Sequence, residues 1–112
     1  MKDLPHASIY EKALVFLGSR HKYICEGKSM NPTLEDGEVV LVDREAKIDV
    51  GDIVVAKHPI EQNSDVVKRV LRVNDRGDFF LIGDNPDNST DSRHYGAVTR
   101  EYIKGKVVAR LS

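Results

Sequence analysis

Residues 65–82 read Asp65-Val66-Val67-Lys68-Arg69-Val70-Leu71-Arg72-Val73-Asn74-Asp75-Arg76-Gly77-Asp78-Phe79-Phe80-Leu81-Ile82. Two runs rich in Val, Leu, Ile and Phe flank Asp75-Arg76-Gly77, a turn sequence. Alternation along the first run sets Val66, Lys68 and Val70 on one face and Val67, Arg69 and Leu71 on the other. The same grammar extends outward. Residues 22–27, 38–43, 52–57 and 104–111 are further short Val- and Ile-rich runs, separated by Asp36-Gly37, Val50-Gly51-Asp52 and Gly83-Asp84-Asn85-Pro86. Several short strands with turn residues between them predict a mainly β fold, a compact barrel or sandwich.

Residues 1–20 read differently. Ser8-Ile9-Tyr10-Glu11 fits a capping box, and Ile9, Ala13, Phe16 and Leu17 fall on one helical face before Gly18. The expectation is one N-terminal helix covering an end of the core. Together, residues 1–112 form a single domain, with a helical segment at 1–20 and a β core at 22–112.

Composition agrees. Of 112 residues, 40% are apolar and only 6% aromatic, so the core must be built from Val, Ile and Leu. Seventeen basic and eighteen acidic residues leave a formal charge of -1, which does not mark a nucleic-acid-binding protein. A single cysteine, Cys25, excludes an internal disulfide framework and suits a reducing compartment. The N-terminal apolar run, Ala13 to Leu17, is far shorter than the ~20 residues of a membrane span. These features point to a soluble cytoplasmic protein with no metal-ligand spacing.

Three segments carry potential chemistry. In Gly27-Lys28-Ser29-Met30-Asn31-Pro32-Thr33-Leu34, a strand ends at a glycine, and a serine follows where its N–H can face a cleft. On its own this is a turn serine, since a nucleophilic serine needs a base. Lys68 shares its strand face with two valines. It is either a snorkelling edge lysine or one held in apolar surroundings, where desolvation favours the neutral amine. The run Gly83 to Gly96 is a long polar loop. Its Asp91 and Arg93 can pair and brace it, and its spacing is not that of a calcium loop.

Taken in order, Ser29-Met30-x-Pro32-Thr33-Leu34, Gly51-Asp52-Ile53-Val54-Val55, Lys68-Arg69-Val70 and Gly83-Asp84-Asn85-x-x-x-Ser89-x-Asp91-Ser92-Arg93-x-x-Gly96 resemble type I signal peptidases. The resemblance implies a signal-peptidase/LexA-like β fold and a Ser/Lys dyad. Ser29 matches the nucleophile and Lys68 the general base. Ser89 matches the lysine-orienting hydroxyl, and Asp91 and Arg93 the bracing pair. The Ser29 N–H would serve as oxyanion donor, with Gly27 supplying no side-chain donor two residues earlier. Substrate would lie extended along Ile24, Cys25, Glu26 and Gly27 on one side and Asp65, Val66 and Val67 on the other.

Within that superfamily the chain is most similar to the compact nickel-type superoxide dismutase maturation proteases. They lack the large insertion between the lysine strand and the Asp-Asn loop. This resemblance implies removal of an N-terminal leader from a dismutase precursor, with the nickel belonging to the substrate and no cofactor to the enzyme. Two other readings stand beside it: a LexA-like self-cleaving domain, and a catalytically idle peptide-binding module.

Overall fold

The computed structural model describes residues 4–111. Helix α1 spans Ile9–Phe16, and the Ser8 hydroxyl accepts from the Glu11 N–H at 3.1 Å. Only that half of the expected capping box forms. The Glu11 carboxylate instead accepts from Arg20 Nε at 2.9 Å, and Arg20 also pairs with Asp43 at 3.3 Å. These contacts turn the Glu11 side of the helix inward, and Leu14 and Val15 on that side are half-buried.

The expectation that α1 covers the core with the opposite face is therefore corrected. Ile9 is 89% exposed and Leu17 72% exposed, and Ala13 is exposed too; the Phe16 side chain lies outside the described residues. A short helix tied down by an ion pair has its facing side set by the charge, not by its apolar stripe. No helix among the described residues is long and apolar enough to cross a membrane.

Six strands follow: β1 His21–Ile24, β2 Val39–Asp43, β3 Ile53–Lys57, β4 Asp65–Val73, β5 Phe79–Ile82 and β6 Ile103–Arg110. They form one antiparallel sheet in the order β1-β2-β6-β3-β4-β5. The mainly β fold is as expected, but its form is one open sheet. Among the described residues, strands β1 and β5 are its edges and do not pair with each other, so the sheet does not close into a barrel.

The sheet is packed on both faces. From β3, Ile53 and Val55 join Cys25, Met30, Leu34, Val40, Val42, Val67 and Val107 on one side. Val54 and Ala56 join Val70, Phe79, Leu81, Val98 and Ile103 on the other. A strand buried on both faces reads as an unbroken apolar run, which is what Ile53-Val54-Val55-Ala56 is. As composition required, the core is mostly Val, Leu and Ile.

Two local features set the position of Ser29 and Lys68. First, β1 stops at Ile24, earlier than the run 22–27 suggested. Cys25 still donates to the Glu38 carbonyl at 2.8 Å, but Gly27 takes φ +83° and its N–H turns to Asp36 Oδ1 at 2.8 Å. That left-handed turn, open to glycine at little cost, swings the chain off the sheet just before Ser29. Second, β4 and β5 pair only from Arg69 onward, opposite Ile82. The stretch 65–68 thus has β3 on one side and no strand on the other. A bulge between Val70 and Arg72 then leaves Leu71 43% exposed, away from the face that alternation assigned it.

Candidate active site

Lys68 stands opposite Val54 in the β3–β4 register, two residues from Val70 on the same face. For Lys68 and Val70 the alternation read from sequence is the one observed. Its side chain is only 4% exposed, and among the described residues its amine makes no hydrogen bond or ion pair. Burial pushes the ammonium pKa down, the Asp91 charge opposes this, and the Arg93 charge adds to it; the net direction is downward. Of the two sequence readings of Lys68, snorkelling edge residue or buried amine, the buried amine is what the fold produces.

Ser29 is half-buried on the loop after Gly27. Its carbonyl accepts from the Asn85 N–H at 2.8 Å. Its own N–H and hydroxyl have no hydrogen-bond partner among the described residues. Both are available to a reacting carbonyl. Ser29 and Lys68 line one pocket of about 70 Å³, together with Tyr23, Glu26, Asp65, Val66 and Val67.

The loop from Gly83 to Gly96 is what joins these parts. It contains a 3-10 turn at Pro86–Asn88 and a short helix α2 at Ser92–Tyr95. Asp91 caps α2 and is fully buried. Its carboxylate accepts from Ser89 Oγ at 2.7 Å and from the Gly83 N–H at 3.0 Å. Arg93 closes on it with Nε at 2.9 Å and Nη2 at 3.1 Å, and reaches the Pro86 carbonyl at 3.0 Å. The bracing pair read from sequence is thus formed. Burial would raise the Asp91 carboxyl, but the Arg93, Gly83 and Ser89 hydrogen bonds outweigh it and hold the group well below the usual carboxylate range. Because Ser89 donates its proton to Asp91, its oxygen lone pairs remain free to accept from an ammonium.

Gly83 sits where three segments meet. A methyl group there would overlap the Ser89 side chain and come within 2.5 Å of the Ser29 carbonyl oxygen. Close approach of the two loops thus requires glycine. The next residue, Asp84, accepts from Arg69 Nε at 2.8 Å and Nη2 at 2.7 Å, and from Thr33 Oγ1 at 2.6 Å. Arg69 also donates to the Gly51 carbonyl at 2.7 Å. Burial pushes the Asp84 carboxyl up, but hydrogen bonds from Arg69 and Thr33 prevail and lower it. Asn85 adds a bond from Nδ2 to the Lys28 carbonyl at 3.0 Å.

Gly83, Asp84, Asn85, Arg69 and Thr33 therefore lock the Ser29 loop onto the Lys68 strand. In the sequence they are motif residues with no assigned role. The signal is the run of glycine and acidic residues next to a cationic strand residue, whose pairing is invisible without the fold.

The remaining expected residues divide. Glu26, Asp65, Val66 and Val67 line the small pocket beside Ser29. Ile24 lines a wider neighbouring cleft that shares Tyr23, Glu26 and Asp65 with it. Cys25 faces away: its thiol is in the core, pushed up to about 11 by burial and by the Glu38 charge, and its N–H and C=O already bond to Glu38 and Gly37. Gly27 is exposed and acts through its turn.

The comparisons with known proteins agree with this geometry. Residues 10–108 match the family described as Peptidase S24-like. The chain is 35% identical to mitochondrial inner membrane protease subunit 1 of Xenopus tropicalis, over 79% of this chain and 66% of that protein. It is 34% identical to the Schizosaccharomyces pombe protein of the same name, over 86% and 79%. It is also 54% identical to signal peptidase I of Streptococcus pneumoniae serotype 4, over 41% and 22%. The chain spans about two thirds of the length of the Xenopus relative. The match over nearly all of the described residues and the relatives that share it place this chain in the Peptidase S24-like family of signal-peptidase-like serine peptidases.

Proposed function

We propose that this chain is a Ser/Lys endopeptidase that removes an N-terminal leader from a precursor protein. The observation that carries the reading is the buried, unpaired Lys68 amine lining one small pocket with Ser29, whose hydroxyl and N–H are both free. Neutral Lys68 takes the Ser29 proton as the oxygen attacks the scissile carbonyl. The Ser29 N–H donates to the oxyanion, and no side chain at Gly27 adds to it. The resulting ammonium is held by the Ser89 oxygen and the Asp91 charge. It returns its proton to the leaving amine as the C–N bond breaks, giving an ester on Ser29. Water then attacks that ester with Lys68 again as base, releasing the carboxylate product and restoring the serine.

The extended substrate adds to two open edges, that of β1 and that of β4 at 65–68, which gives main-chain hydrogen bonds on both sides. A pocket of about 70 Å³ beside Ser29 suits a small side chain next to the scissile bond.

Resemblance to the compact maturation proteases makes a nickel-type superoxide dismutase precursor the first substrate to try; the relatives named above, mitochondrial inner membrane protease subunits and a signal peptidase, give that choice no support. Incubating the pure chain with that precursor, and mapping the new N-terminus by mass spectrometry, tests it. A single new terminus at the leader junction is expected. A precursor left intact beside an unrelated precursor that is cut would reject the dismutase assignment and keep the peptidase.

A further inference from the structure

The pocket at Ser29 abuts a second one, and the two together make a groove. A wider cleft of about 500 Å³, lined by Lys22, Tyr23, Ile24, Glu26, Asn63, Ser64 and Asp65, shares Tyr23, Glu26 and Asp65 with it. Small volume next to the nucleophile and large volume beyond it suit a short side chain followed by a long one. Two carboxylates face this groove. Glu26 is exposed and makes no ion pair among the described residues. Asp65 pairs with half-exposed Lys104 at 2.8 Å, a surface contact that an incoming cation can displace at little cost. Lys22 is the groove's own cation, on the edge strand.

The groove is also a built site. It holds Lys68, a residue 4% exposed whose amine makes no hydrogen bond or ion pair among the described residues. The Tyr23 phenol is pushed up to about 12 by burial and then by the Asp65 and Glu26 charges, so the fields of both carboxylates converge there.

We propose that Glu26 and Asp65 select substrates that carry a lysine or arginine within a few residues of the scissile bond. Its aliphatic stem would lie on the Tyr23 ring and its charged head would reach Glu26. Because side chains on one face of an extended strand recur every second residue, one position is favoured and its neighbours are not. The inference rests on the peptidase reading and adds the substrate class to it.

The test is a library of random peptides digested by wild type, Ser29→Ala, Glu26→Gln and Glu26→Lys, with cleaved sequences read by mass spectrometry. Wild type should enrich lysine and arginine over glutamate at one position, by roughly fivefold at low salt, and lose the preference at about 0.5 M salt. Glu26→Gln should weaken the preference, and Glu26→Lys should turn it toward aspartate and glutamate with the scissile residues unchanged. Identical profiles for wild type and Glu26→Lys overturn this inference alone. No cleavage by wild type, or cleavage that survives Ser29→Ala, overturns the peptidase reading and this inference with it.

Discussion

Lys68 shows how one residue inherits its chemistry from its neighbours. The side chain is ordinary; the apolar Val54 and Val70 beside it and the burial it shares with them favour its neutral amine. Its folded pKa lies below that of the unfolded chain. Between those two values the unfolded state binds more protons, so stability should fall as pH drops from the unfolded lysine range through that window. Lys68→Met removes the buried amine and should stabilise the fold at neutral pH by roughly 1 kcal/mol or more, measured by urea unfolding. A variant no more stable than wild type would mean that the lysine reaches water. Activity should rise with pH across the neutral to mildly alkaline range as this one amine loses its proton. Cys25 makes the opposite case. Buried, with a thiol pushed up to about 11, it should resist alkylation in the native protein at pH 8 and react readily in urea. Rapid native labelling would count against that burial. Both residues are partly legible in sequence: alternation places Lys68 on a valine-bearing face, and an apolar context marks Cys25 as core. What sequence leaves open is whether anything covers the end of the lysine. The charges of Asp91 and Arg93 that act on it come from the loop from Gly83 to Gly96, which begins 15 residues further along the chain.

Among the elements, that loop does the assembling. Asp91 gathers Gly83, Ser89 and Arg93, while Asp84 ties Arg69 of β4 to Thr33 of the Ser29 loop. Gly83→Ala should therefore separate Ser29 from Lys68. An activity loss of at least about a hundredfold is expected, larger than its effect on unfolding would account for, because misplacement of about 1 Å is that costly. Near-normal kcat in Gly83→Ala would show that the loops tolerate a wider gap. Asp84→Ala removes the carboxylate that accepts twice from the buried Arg69 guanidinium and once from Thr33, and should cost about 3 kcal/mol in denaturant unfolding. Arg69→Met combined with Asp84→Leu should cost clearly less, since the buried ion pair is exchanged for two apolar side chains. A double variant as damaged as Asp84→Ala would mean that the pair matters through geometry instead. The strand runs are legible because Val-rich segments between glycine turns are a local pattern. The bulge at Leu71, the early end of β1 and the helix α2 are not. Each depends on a partner segment: β5 for the bulge, Asp36 for the Gly27 turn, and Arg93 folding onto Asp91 for the cap.

At the scale of the whole molecule, the open sheet is what makes a groove. With β1 at one edge and β5 too short to cover residues 65–68, two unpaired backbone edges flank Ser29 and Lys68. A closed barrel, one of the two forms expected, would have sealed them. Helix α1 departs from its expected orientation for a related reason. Its apolar spacing is visible in sequence, but the Glu11–Arg20–Asp43 contacts that orient it are not. Because Ile9 and Leu17 are exposed, Ile9→Ser with Leu17→Ser should change unfolding stability by no more than about 0.5 kcal/mol per site. A much larger loss would show that this face is packed in solution. The central claim is that Ser29 and neutral Lys68 act together as nucleophile and base. It is tested most directly by the initial rate at which a cleaved precursor's new N-terminus appears, followed by mass spectrometry, for wild type, Ser29→Ala and Lys68→Met. Both variants, folded and at least as stable as wild type within about 0.5 kcal/mol, should be slower by about a thousandfold or more. Cleavage by either one within about tenfold of the wild-type rate would contradict the account.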